Sequence, residues 1–591
     1  MYKYFILAIL LSIVQGCQQK VSEELLPPVG EVFENYYEDR MKLYPLEATM
    51  NGDNRYNDLM PNDLTQDYKK QLVDFYTKYQ KEIAKYDRNE LIEEEKASYD
   101  LLSWECSINQ QLLRFPTELM PINQIFSTHL MIAQLASGGS LQPFKTTDDY
   151  DDWLKRVDGF TVWCDTAIVN MKEGIKKGYV LPAPLIQKVI PQLAGLDHGP
   201  TEQHLFYTPV TKFPDSFSAD DKARLTTGYK AMVEEKIIPV FKRLHDFVAN
   251  EYLPAGRKTS GFKDLPNGKA LYDTYIKYFT TTSMTAEEIH DLGLKEVARI
   301  SKEMMLVKNE VGFKGNLKAF FNNVRNNKKL MPYAEPDEVI SHFNGIHETM
   351  KPNLTKLFDL TPKAAFEVRR TEAFREASAS AEYNPGLPDG SRPGVFYVPI
   401  PNAKEYNVVS DESLFLHEAI PGHHYQISLQ QENKALPIFR KNIWYSAYGE
   451  GWALYCESLG KELGLYTDPY QYFGMLSAEM HRAIRLVVDT GMHAKGWSRE
   501  KAIQYSIDHE AESTESITAE VERYMAGGGQ ALSYKIGQLK IRELRTKLEK
   551  VEGEQFDVRV FHNKVLESGC VPLNILEDKI NAYIKGRKTA E

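Results

Sequence analysis

The feature that most narrows the possible folds is a helical period with a written start. Thr285-Ala286-Glu287-Glu288 is a capping box, in which the Thr hydroxyl closes the first turn and Glu288 reaches back. Ile289, Leu292, Val297, Ile300 and Met304 then keep one face apolar at the spacing of a 3.6-residue turn. Similar runs occupy about 30 to 115, 145 to 180, 218 to 252 and 335 to 360, so the expected class is mainly α, built as a large helical body. Glu93-Glu94-Glu95 within one of these runs reads as a solvated helix face.

Strand signals are few. The best is Arg392 to Pro399, preceded by the turn sequence Leu387-Pro388-Asp389-Gly390, so the two together predict a small β-hairpin. Prolines 393 and 399 assign its second strand to a sheet edge. An exposed edge can pair with an extended peptide.

Between Pro28 and the C-terminus there is no repeat, low-complexity tract or Gly/Ser-rich linker. Length alone would suggest about four domains. The continuity of pattern favours one helical body over 29–591, in one or two lobes. With 42% hydrophobic and 26% charged residues, that body can bury a large core. Its net charge of −11, without a basic stripe, excludes an electrostatic nucleic-acid binder.

The first residues differ from the rest. Met1 to Val14 is apolar apart from Lys3, too short to span a bilayer as a mature helix and suited to a secretory signal. It runs into Val14-Gln15-Gly16-Cys17, which resembles a bacterial lipobox. The expected organisation is a signal peptide over 1–16, a tether over 17–28 lipidated at Cys17, and an extracytoplasmic body held on a bacterial membrane, at its periplasmic face or the cell surface. The other four cysteines form no CxxC pair, so they are not a metal-ligand set.

The chemistry concentrates in Ser410 to Gln426, SDESLFLHEAIPGHHYQ, which holds three of the fourteen histidines. Ser410 is placed to cap a helix that carries Leu414, Phe415 and Leu416 into His417-Glu418. A zinc hydrolase needs neutral imidazoles, an open position for water, and a carboxylate to take a proton from that water. His417 and Glu418 offer a ligand and a general base in one turn. The second histidine of an HExxH helix would come four residues later. Here His423 and His424 follow by six and seven, roughly 9 and 10.5 Å along a regular helix, too far for both ends to hold one ion. Pro421-Gly422 must therefore break the helix and turn the chain back. Spacing leaves open which of His423 and His424 is the ligand.

A third ligand is expected from Gly449-Glu450-Gly451-Trp452-Ala453-Leu454-Tyr455-Cys456-Glu457. Glu450 and Glu457 lie seven apart, on nearly one helix face. The first is placed to reach a metal and the second to orient a ligand histidine from behind.

HEAIPGHHYQ with downstream GEGWALYCE resembles the bacterial family called domain of unknown function 885, regarded as zinc peptidases and often lipoproteins, over nearly the whole mature chain. More distantly it is similar to helical gluzincins such as the thimet-type oligopeptidases and angiotensin-converting enzyme. The resemblance implies a deep central channel, a β-strand beside the zinc-site helix, and one Zn2+ per chain held by two histidines and a downstream glutamate. Carried over by motif, His417 and Glu450 are ligands and Glu418 is the base; the Gly-His order favours His423, with His424 as the alternate. The residues inserted between the histidines are a departure from HExxH.

A second signal lies further on, in His493 and in Arg523-Tyr524 with the glycine run 527–529 and Tyr534. Glycines let a backbone approach a ligand, and His or Tyr donors can stabilise an oxyanion. Tyr534, His493 and Tyr524 are therefore candidate substrate contacts, and Arg392 a candidate partner for a substrate carboxylate. The expected activity is zinc-dependent hydrolysis of short or unfolded extracytoplasmic peptides. The alternatives are a zinc amidohydrolase acting on a non-peptide or cell-wall amide, and a non-catalytic peptide-binding lipoprotein. The adjacent His417-Glu418 pair argues against the last, because a binding protein needs no base beside a ligand.

Overall fold

In the computed structural model the described residues are 26–590, apart from 139–140, 373–375, 377–378, 388–389 and 391. Cys17, the proposed signal peptide and most of the tether lie outside them. Among the described residues the chain forms 23 α-helices and three short strands, a mainly helical fold with one small sheet. Thr285 Oγ1 accepts from the Glu288 N–H at 3.3 Å, and Glu288 Oε2 accepts from the Thr285 N–H at 2.8 Å. This reciprocal cap starts the helix Ala286–Glu310, which buries Ile289, Val297, Ile300 and Met304 on the expected stripe. A second box, Thr146 with Asp149, starts Thr147–Lys177.

The apolar side chains gather in two clusters. One is drawn from Leu64 and residues 122–252, around Trp153, Phe160 and Phe241. The other runs from Val29 to Ile584 and contains the helices that carry the chemical motifs. Within it, Ala286–Glu310 lies along Pro469–His493. A side chain at Gly293 would meet Leu486 Cβ at 2.8 Å, so glycine is what allows these helices to approach so closely.

The sheet holds β1 (Phe366–Arg370), β2 (Glu382–Asn384) and β3 (Gly394–Val398) in the order β1-β3-β2. β2 and β3 pair antiparallel, Tyr383 opposite Phe396, as the two arms of the expected hairpin. In its turn, the Gly390 N–H donates to Leu387 O, while Pro388 and Asp389 are outside the described residues. The edge assignment of the second strand is corrected: β3 is central, with β1 parallel on its other side from Phe366↔Gly394 to Arg370↔Val398. Pro393 and Pro399 fall just outside the paired residues, so they remove no donor from either ladder. β1 escaped notice because its two apolar residues, Phe366 and Val368, alternate with charges over only five positions.

Candidate metal centre

The helix Asp411–Glu418 delivers His417 and then stops. Ser410 stands at its N-cap but makes no side-chain capping bond, a correction to the expected role; the turn Val408–Ser410 leads in, and the Asp411 carboxylate accepts from the Tyr406 hydroxyl at 2.9 Å. Ala419 leaves helical geometry, Ile420-Pro421 is cis, and a new helix, His423–Glu432, starts after Gly422. A Cβ at Gly422 would lie 1.9 Å from His417 O, so only glycine lets the chain fold back onto the end of the first helix. Trp452 Nε1 donates to Pro421 O at 2.9 Å and fixes the turn. The expected break is there, and it brings the rings of His417 and His423 to 4.8 Å, nearly perpendicular.

Glu450 comes from the helix Ser446–Glu457. Both flanking glycines are spaces already filled by neighbours. A Cβ on Gly449 would meet the Trp444 ring at 2.0 Å, and one on Gly451 would meet Gly537 Cα at 2.5 Å on the helix Ser533–Glu552. Glycine on both sides of Glu450 thus lets its helix pack closely against Trp444 and the helix Ser533–Glu552. Glu450 Oε2 lies 3.5 Å from His417 Nε2 and 3.5 Å from His423 Nε2, and one donor atom from each of the three residues lies within 4.8 Å of the others.

His417 Nδ1 lies 2.7 Å from Glu457 Oε1, and Ser413 Oγ donates to Glu457 Oε2 at 2.7 Å. Glu457 thus stands behind the imidazole, as its seven-residue spacing from Glu450 predicted. A proton on Nδ1 leaves a lone pair on Nε2, facing a carboxylate oxygen and a second imidazole nitrogen. Such a set is satisfied by a proton shared with the carboxylate or by a metal cation at its centre. Tetrahedral ligands about 2.05 Å from zinc stand about 3.4 Å from one another, which matches the two 3.5 Å separations. The donor set and spacing therefore fit a zinc ion.

Charge follows the same pattern. Burial opposes protonation of His417, but hydrogen bonding to Glu450 and Glu457 outweighs it and holds its pKa at about 9. Burial would raise Glu450, yet the two imidazoles hold its carboxyl far below the usual range. Glu418, half-buried, is pushed up by burial, with His417 and His423 pulling the other way.

His424 faces elsewhere. Its Nδ1 is 2.9 Å from the Tyr383 hydroxyl and 3.4 Å from Ser428 Oγ, and its ring lies 4.9 Å from that of Phe366. Burial lowers its pKa to about 4, so it is neutral and hydrogen-bonded against the sheet. Of the two candidates, His423 is the one gathered with His417 and Glu450.

A family profile described as "Bacterial protein of unknown function (DUF885)" matches residues 45–580. The chain belongs to the DUF885 family. This DUF885 chain is similar in fold to "the putative lipoprotein from Colwellia psychrerythraea", with a TM-score of 0.86 and 28% identity over 94% of this chain and 99% of that one. It also resembles "a putative lipoprotein of unknown function from Shewanella oneidensis", with a TM-score of 0.74 and 18% identity over 93% and 99%. No curated protein matches the chain.

The outlying candidates of the DUF885 chain divide. Tyr534 is half-buried, with Arg485 Cζ 4.4 Å from its ring centre; burial, reinforced by the negative charge of Glu450, raises its pKa. It belongs to the surroundings of the centre. His493 does not offer a free nitrogen: it is wholly buried, Nδ1 accepts from the Phe262 N–H at 3.0 Å, and Nε2 donates to Tyr524 O at 3.0 Å. Within the glycine run, Gly528 makes room for this histidine, since a Cβ there would meet His493 Nε2 at 2.8 Å, while Gly527 and Gly529 pack against Phe126 and Tyr275. Tyr524 is likewise buried, its hydroxyl donating to Glu520 at 2.8 Å and accepting from Arg485 Nε at 3.1 Å. Arg392 is exposed and donates from Nη2 to Pro385 O at 2.9 Å within the hairpin connection.

Sequence reasoning passed over Arg482 and Arg485, on the helix Pro469–His493. Arg482 is close enough for its charge to lower the Glu418 pKa. The available signal was their setting: two arginines three apart among Met480, Ala483, Ile484, Leu486 and Val487, where a solvated face has no place.

Proposed function

We propose that this chain is a zinc metallopeptidase of short or unfolded extracytoplasmic peptides, tethered to a bacterial membrane by lipid on Cys17. The observation that carries the reading is the convergence of His417 Nε2, His423 Nε2 and Glu450 Oε2 on one point, with Glu457 bonded to the far side of His417. Zinc bound there would supply Lewis acidity and make water acidic enough to be a nucleophile at neutral pH. The remaining work belongs to side chains. Glu418, next to a ligand and raised by burial, accepts a proton from the attacking water and returns it to the leaving amine. Glu457 holds His417 in the tautomer that presents Nε2. Tyr534, which feels the charge of Glu450, is the predicted hydroxyl donor assigned to a developing oxyanion. The lipid anchor is supported by the Val14 to Cys17 sequence and by the description of each of the two similar solved structures as a "putative lipoprotein".

The test is Glu418→Gln assayed on a mixed peptide library. The expected variant retains one zinc per chain and loses hydrolysis. Undiminished turnover at full metal content overturns the reading, as does a zinc-loaded wild type that leaves the whole library uncut.

A further inference from the structure

On the helix packed against that of Glu418 stands a guanidinium whose side-on edge meets no acceptor among the described residues. Arg482 lies on Pro469–His493, which packs against the motif helix Asp411–Glu418, and its charge reaches Glu418 although no ion pair joins the two. Its Nη1 donates to Ala478 O on its own helix at 3.3 Å. Its Nε is buried without a partner, and Nη2 has none among the described residues.

Nε and Nη2 form the side of a guanidinium that takes both oxygens of a carboxylate at once. Other arginines fill this side, some with a chelating acid and Arg156 and Arg325 with backbone carbonyls. Arg40 holds Glu47 by Nε and Nη2 at 2.9 and 2.8 Å, Arg88 holds Asp100 at 2.6 and 2.6 Å, and Arg370 holds Glu376 at 2.7 and 2.7 Å. At Arg482 the chain supplies no acid, although a buried N–H without an acceptor is costly.

The surroundings favour an anion. One turn on, Arg485 is 7% exposed, stacks on Tyr534 and leaves Nη1 without a partner. Its cluster sets His481, Arg485 and Arg523 against Glu510 and Glu520. The planar edge suits a single carboxylate better than a phosphate, whose second charge would be repelled by Glu418 and Glu450.

We infer that Arg482, backed by Arg485, receives a carboxylate of the substrate beside Glu418. The inference rests on the peptidase reading for the substrate class and adds how the peptide is held. The carboxylate is a free C-terminus or an Asp or Glu side chain, and the two are separated by the probes.

The experiment uses the zinc-loaded full chain and three fluorophore-labelled tetrapeptides: one with a free C-terminus, its C-terminal amide, and an amide carrying an internal Glu. Binding is followed by anisotropy and cleavage by chromatography. One carboxylate probe is expected to bind roughly 10- to 100-fold more tightly than the plain amide. That ratio should fall to about one in Arg482→Gln and partly return in Arg482→Lys. A preference for the free acid assigns the C-terminus, and one for internal Glu assigns the side chain. A wild-type ratio of one for both probes overturns the inference without reliance on any variant, and so does a preference that Arg482→Gln leaves intact. Carboxylate preference without cleavage sinks the peptidase reading and keeps this one, whereas cleavage without preference does the reverse.

Discussion

Glu457 Oε1 lies 2.7 Å from His417 Nδ1, on the side of the imidazole opposite Glu450. The contact makes the histidine's orientation and tautomer a property of the fold before any ion arrives. Glu457→Gln keeps the shape but removes the charge, so zinc affinity should fall about 10- to 100-fold. Competition against a chromogenic chelator measures it, and an affinity equal to wild type would remove Glu457 from the centre.

His423 and His424 are adjacent in sequence and opposite in surroundings. His423→Ala should lose stoichiometric zinc and, above pH 4.5, the share of metal-free stability that comes from holding Glu450 ionised. His424→Ala should keep its zinc but lose about 1–3 kcal/mol, because a buried imidazole that bonds the Tyr383 hydroxyl and packs on Phe366 is removed. Metal analysis together with urea unfolding of both variants checks this, and the opposite pattern would exchange their roles.

Without metal, the centre is an ion pair with a defined pH window. His417 has a folded pKa raised from 6.5 to about 9, so its contribution to stability is complete below 6.5 and lost as pH rises through 9. Glu450 is depressed below 4.5, so its contribution is present above 4.5 and lost on acidification. Chelator-treated protein should therefore gain most from this pair between about pH 4.5 and 6.5. Zinc replaces the proton, so the difference in Tm between zinc-loaded and chelated protein should grow from pH 6.5 to 9. A flat difference over that interval would contradict the assignment.

Gly537 tests whether a distant contact sets the centre. A Cβ there would lie 1.8 Å from Ala447 O and 2.7 Å from Gly451 Cα, so Gly537→Ala must push the helix of Glu450 away. The expected loss is about 1–3 kcal/mol of stability from overpacking, with weakened zinc binding although no ligand is changed. Urea midpoints and zinc titration would reveal it; intact affinity in a destabilised variant would mean that Glu450 is positioned locally.

Much of this was legible because periodicity and ligand chemistry are local. The Thr285 cap, the break at Pro421-Gly422 and the spacing of Glu450 and Glu457 are each written within ten residues. The rest depends on partners far along the chain. The glycines at 527–529 signal close approach without saying of what, and the neighbours are Phe126, His493 and Tyr275 in turn. The central place of β3 depends on β1, more than twenty residues upstream. Arg482 has no motif around it, and only the folded helix brings its charge to Glu418.

The helix Ser446–Glu457 meets the centre at three places: Glu450 before His417, Trp452 on the Pro421 turn and Glu457 behind His417. A single residue gained or lost between 450 and 457 would swing one carboxylate about 100° around the axis relative to the other. The interval between these glutamates therefore cannot drift in length, whereas residues 433–445, joining it to the histidine helix, face no such phase constraint. Relatives that keep the centre should vary in length in that connection and nowhere within the helix.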